Sequence, residues 1–339
     1  MTSVFERELL VVTGKGGVGK TTVSAIVGLL GAREGKRVVV VELGEQGRLA
    51  HLFGQPKPEL GAELRLDENL WSISIDPDRA LLEWLQSIGG ALAGRVLGSS
   101  TTFQYFAAAA PGAKELVSMV KVWELTQSAR WRRRAHGYDL VVLDAPATGH
   151  ALAMLHSPQT FGAIARVGPI AGQTRQVKQL LADRRRSGYL AVAHASEMAV
   201  SEALEIQDGL VRQLDRELEA VIVNGVLPRR FTEPELRRVA ALNGGARGDR
   251  APRAASVTAR RGRGRTAGAT ATAPARDAEL RRAAAYAARS VHERARRQHN
   301  EVARLRRREL RVVSVPFVFA PELDLALLRR LTDQVARKL

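Results

Sequence analysis

Apolar residues gather in seven short runs along the chain: ELLVVTG (8–14), KRVVVVEL (36–43), LWSISID (70–76), YDLVVLDAP (138–146), YLAVAHA (189–195), EAVIVNGV (219–226) and LRVVSVPF (310–317). Their length suits strands, and their nearly continuous apolar character suits strands covered on both faces. Between them the period changes. In KTTVSAIVGLLGAREGK (20–36), Val23, Ile26, Val27 and Leu30 recur at helical spacing. Strands alternating with helices predict an α/β fold: a doubly wound, mostly parallel sheet with helices on both faces, binding ligands at the carboxyl ends of its strands.

The same pattern divides the chain. Residues 1–76 carry the first part of the core. Residues 77–137 contain no convincing strand and predict a helical insertion subdomain. The core resumes over 138–242, with helices across 150–186. Residues 243–277 are almost entirely Ala, Gly, Arg, Pro and Thr, so burial cannot offset the entropy of ordering them; they predict a disordered linker. An Arg-rich helix (AELRRAAAYAARSVHERARRQHNEVARLRRREL), the last strand and a last helix make up 278–339. No repeat of 20 to 50 residues is present.

Composition narrows the chemistry. With no cysteine the chain has no disulfide, no thiolate zinc site and no thiolate arsenic site, which disfavours an arsenite role. No run approaches the roughly 20 apolar residues that span a bilayer, and the acidic N-terminus leads straight into a strand, so the expectation is a cytoplasmic protein without a transmembrane segment. The net charge of +17 is local: residues 247–311 hold 19 arginines, no lysine and 6 acidic residues, a net +13. That segment is either a phosphate-contacting surface or a solvated stretch with no partner. The seven histidines are scattered without metal-ligand spacing.

One motif carries specific chemistry. Residues 14–21 match G-x-x-x-x-G-K-[ST] between a strand and a helix, the context in which that pattern cradles phosphates. Gly14, Lys15, Gly16, Gly17, Val18, Gly19, Lys20, Thr21 and Thr22 are the candidate nucleotide-binding residues. Backbone amides and the helix N-terminus would hold the phosphates, Lys20 would neutralise β and γ oxygens, and the Thr21 hydroxyl would ligate Mg²⁺. The cofactors expected are ATP and Mg²⁺.

Lys15 gives the loop the form KGGVGKTT, which resembles that of the deviant-Walker ATPases: the MinD/ParA group, nitrogenase iron protein and the ArsA and GET-pathway ATPases. The resemblance implies that Lys15 reaches across a dimer interface to the partner's nucleotide. DAPATGH (144–150) is similar to the DTAPTGH switch of the ArsA/GET branch, which implies that Asp144 holds Mg²⁺ through water and that Pro146–His150 move on γ-phosphate loss. In the same family Asn224, closing VIVN, and Pro316, in VVSVPF, match residues at the adenine pocket. The resemblance covers about 8–242 and 278–339.

The chain departs from that family at one position. Where the branch carries an aspartate thought to orient the attacking water, ELGEQGRLAHLFG (42–54) places Gly44. Glu45 could substitute only if the loop shifts, because neighbours on an extended chain point opposite ways. The implied protein is an ATP hydrolase of low activity, a homodimer or a heterodimer with a paralogous ATPase, coupling nucleotide state to a protein or apolar client. Apolar residues between 79 and 125, among them Leu81, Trp84, Leu85, Phe103, Met119 and Trp123, supply either core or a client groove. The alternative is a ParA/MinD-like partitioning ATPase acting on DNA or a membrane surface through the Arg-rich segment.

Overall fold

The computed structural model describes residues 3–44, 47–87, 112–131, 137–164, 169–242 and 273–339. Glu45, the middle of the expected insertion and most of the expected linker lie outside these. In chain order the elements that build the core are β1 (Leu9–Gly14), α1 (Lys20–Arg33), β2 (Val38–Leu43), α2 (Arg48–Leu52), β3 (Glu63–Asp67), β4 (Leu70–Ile75), α3 (77–87), α4 (Ala113–Leu125), β5 (Leu140–Ala147), α5 (Thr148–Ile164), α6 (Pro169–Ala182), β6 (Ser187–His194), α7 (Glu197–Leu214) and β7 (Ala220–Val226). They are followed by α8 (Glu233–Leu242), α9 (Ala273–Arg306), β8 (Val312–Pro316) and α10 (Leu325–Ala336).

Eight strands form one sheet in the order β3-β4-β2-β5-β1-β6-β7-β8. Every pairing is parallel except β3 with β4. All seven apolar runs are strands. β1 is buried along its whole length, and β2 is buried from Val38 to Glu42. Helix α1 packs over β1, β2 and β5 and against α10, while α4 to α7 pack among themselves and against β1, β5 and β6, so helices cover both faces.

The eighth strand, β3, is the element that the apolar runs do not show. ELRLD alternates rather than running continuously apolar, and at the sheet's edge it leads into β4, with which it pairs antiparallel, through a turn in which Asn69 has φ 55°. A strand covered on one side needs only alternate apolar residues. Within the expected insertion, most of the described apolar stripe is core: Trp84, Leu116, Met119 and Val120 are buried, whereas Leu82 is exposed.

The described residues divide into two compact units, Leu227–Gln298 and the remainder. In the smaller unit Thr232 and Glu235 form a capping box on α8: the Thr232 amide donates to Glu235 Oε2 at 2.7 Å, and the Glu235 amide donates to Thr232 Oγ1 at 3.4 Å. The Leu227 amide donates to Gln298 Oε1 at 2.8 Å, tying the unit's two ends together. Helix α9 begins at Ala273, inside the stretch expected to be linker. Among the described residues no helix is long and apolar enough to cross a membrane.

Candidate functional site

Gly14 closes β1, and the next five residues turn into α1, whose first residue is Lys20. Gly19 has φ 90° and directly precedes the helix; any Cβ there would fall 2.4 Å from Asn224 Nδ2, so both backbone and neighbour require glycine. Asn224 Nδ2 donates to the Val18 carbonyl at 2.9 Å. The expected adenine-side asparagine therefore also braces the phosphate loop. Pro316 ends β8, aligned with Val226 two residues beyond Asn224 on the neighbouring strand.

Lys20 is half-buried, and its Nζ donates to the carbonyls of Gly14 and Lys15, each at 3.1 Å. Burial pushes its pKa down, opposed by Asp144. Thr21 Oγ1 donates to Asp144 Oδ2 at 2.6 Å, and Ser24 Oγ donates to Oδ1 at 3.3 Å. Burial raises the Asp144 pKa against the pull of those hydroxyls and Lys20. Asp144 sits near the end of β5. The segment expected as a moving loop, Pro146–His150, is instead the last two residues of that strand and the first turn of α5.

These groups open on a cavity of about 720 Å³ whose lining includes Gly19, Lys20, Thr21, Glu42, Arg48 and Asp144. Lys15 goes elsewhere. Its Nζ pairs with Glu202 Oε1 on α7 at 2.6 Å and lies against the Met198 sulfur one turn earlier. Glu202 Oε2 in turn accepts from Thr148 Oγ1 at 3.4 Å, at the start of α5.

The model of the anion-transporting ATPase family matches residues 7–167, from β1 to beyond the end of α5. The ATPase BagA of Mycobacterium tuberculosis is 30% identical over 239 residues, covering 68% of this chain and 69% of that protein. The chain belongs to the ArsA-type ATPase family. ATPase GET3 of Paracoccidioides lutzii is 31% identical over 170 residues, 48% of this chain and 46% of its own length. ATPase ASNA1 homolog 1 of Paramecium tetraurelia is 30% identical over 165 residues, 47% and 46% of the two chains. Like the relatives so named, this member of the ArsA-type family is an ATP hydrolase with a nucleotide-binding core. The ParA/MinD-like alternative is the less favoured of the two readings.

Sequence reasoning missed four members of this ArsA-type site. Glu42 is 3% exposed and in register with Asp144 on the adjacent strand. Its Oε1 accepts from the amides of Arg48 at 3.1 Å and Leu49 at 3.4 Å, at the start of α2. Burial raises its pKa, the amide bonds lower it and Asp144 adds to the rise. The signal was available: Glu42 is the one charged residue in VVVVEL, an otherwise apolar buried strand. Ser24 was legible too, three residues after Thr21 and so on the same helix face. Arg48 and Glu202 carry no local signature.

Proposed function

We propose that this chain binds MgATP at the phosphate loop and closes as a dimer, homomeric or with a paralogue, in which each Lys15 serves its partner's nucleotide. The observation that supports this reading most is the direction of Lys15. It belongs to the loop yet turns to Glu202 rather than into its own cavity, leaving Lys20 alone to serve the phosphates in cis. Thr21 and Asp144, a hydroxyl and a carboxylate that already meet at 2.6 Å, form a hard-oxygen pair that fits Mg²⁺ and would hold it, Asp144 through water. When bound, Mg²⁺ neutralises charge on the β and γ oxygens. Asn224 and Pro316 stand at the ends of adjacent strands where an adenine edge would be read.

Hydrolysis is slow in this reading, because Gly44 offers no group to orient water where the family resemblance places an aspartate. Gly44 has φ 78°, and a Cβ there would meet nothing within 4 Å. An aspartate at this position therefore fits sterically but carries the cost of a left-handed backbone, on the order of 1 kcal/mol. The protein works in the cytoplasm, coupling closure to a protein or apolar client.

Light scattering with a non-hydrolysable nucleotide and Mg²⁺ tests the core of the reading. The native chain is expected to double in mass and Lys15→Ala to remain a monomer; a native chain that stays monomeric sinks it. Phosphate release is expected to be slow and to rise in Gly44→Asp. Salt-sensitive retention on DNA that is lost on deleting 243–277, with DNA-stimulated turnover, would instead favour partitioning.

A further inference from the structure

We propose that Glu42 is the carboxylate that orients the attacking water in this protein, and that the slow turnover left by Gly44 runs through it. The inference rests on the ATPase reading of the same cavity. It does not depend on dimer closure.

The geometry comes from the strand. Glu42 is the last residue but one of β2 and lies two residues before Gly44, so the strand delivers a carboxylate close to the position that lacks one. The parallel register sets Glu42 beside Asp144, so the two carboxyls project from the same face of the sheet, over α1. Glu42 is only 3% exposed, yet it lines the cavity that Lys20 and Thr21 share.

The carboxylate is also only half used. Oε1 takes both amides at the start of α2, which fixes the side chain's rotamer. Oε2 has no hydrogen-bond donor among the described residues. An oxygen without a protein donor, on a side chain that lines this cavity, is suited to accept from water. Fixing one oxygen while leaving the other free is how a side chain is held for positioning chemistry.

The step balances as follows. The water oxygen bonds to the γ-phosphorus while the bond between that phosphorus and the β–γ bridging oxygen breaks. ADP leaves with the bridging oxygen. One water proton hydrogen-bonds to Glu42 Oε2 during attack and departs with the inorganic phosphate, leaving the carboxylate unchanged.

Glu42→Gln separates this role from simple capping, because the amide oxygen can still accept from Arg48 and Leu49. Full-length protein is assayed for steady-state phosphate release and, separately, for ATP affinity with a fluorescent analogue. The expected result is a kcat at least 10-fold below native with the dissociation constant within 3-fold, and recovery of turnover in Glu42→Gln/Gly44→Asp, which returns a carboxylate two residues along. A native kcat in Glu42→Gln overturns the proposal, as does a loss confined to nucleotide affinity. If the Gln variant does not fold, Glu42→Asp carries the test: it keeps the charge but draws the carboxylate back by one methylene, and a kcat at least 10-fold below native is expected with the dissociation constant within 3-fold, a native kcat again overturning the proposal. A native chain that binds no ATP at all would instead defeat the ATPase reading of the cavity.

Discussion

Asn224 reaches from β7 past one strand, β6, to brace a loop that opens after β1. Its amide holds the Val18 carbonyl and leaves no room for a side chain at Gly19. Removing a single hydrogen bond of this kind is worth about 1 kcal/mol. Asn224→Ala is therefore expected to weaken ATP binding about 5-fold by titration calorimetry while shifting the melting temperature little, because the strand itself remains buried. The loop motif was legible in the sequence because its residues are consecutive. The bracing was not, since Asn224 lies 206 residues from Val18. Glu202, 187 residues from Lys15, is hidden for the same reason.

Elements on the two sides of the loop differ in what they do to it. Helix α7 presents Met198 and Glu202 one turn apart and so holds Lys15 in cis, while Glu202 also meets Thr148 at the head of α5. With side chains 33% and 25% exposed, the pair belongs with surface ion pairs worth about 0.2–1 kcal/mol. Glu202→Gln should leave stability to denaturant nearly unchanged. It should also lower the ATP concentration for half-maximal dimer about 2- to 5-fold, because Lys15 no longer has to leave an ion pair; an unchanged midpoint in light scattering would speak against that competition. Strand and helix existence was readable wherever the period was clear. The exception, β3, is short and half charged, so its alternation is lost among loop residues. Helix α2 was unreadable for another reason. Its five residues are capped by Glu42 rather than by a residue of its own, and Gly47 at its N-cap supplies no side chain.

Across the molecule, charge is handled in two opposite ways. At one side of the sheet, Glu124 and Arg130 are buried to about 1% exposure. Glu124 Oε1 accepts from Arg130 Nε at 2.7 Å, and its other oxygen lies 3.0 Å from Lys121 Nζ. Arg130 continues to Glu63 on β3, whose Oε2 accepts from the Tyr138 hydroxyl at 2.7 Å. Burial pushes the tyrosine's pKa well up, and the hydrogen bond to Glu63 adds to the rise. Removing one partner of a buried network leaves the others uncompensated, at a cost of about 3–5 kcal/mol. Glu124→Ala is expected to lose that much in urea denaturation, far more than any loop variant. The excess positive charge, by contrast, was located by composition alone. Composition could not set where α9 starts within it, because Ala and Arg are among the best helix formers and are as common in the stretch expected to be linker. The doubly wound core was thus visible early, while the start of α9 at Ala273 was not.

The phosphate loop is already anchored at both ends by its own chain, through Asn224 at Val18 and through the Lys20 ammonium on the carbonyls of Gly14 and Lys15. The entropic cost of shaping the cradle is therefore met during folding. On the proposed MgATP reading, what remains at capture is an exchange, in which Lys20 would give up two peptide oxygens for those of a triphosphate.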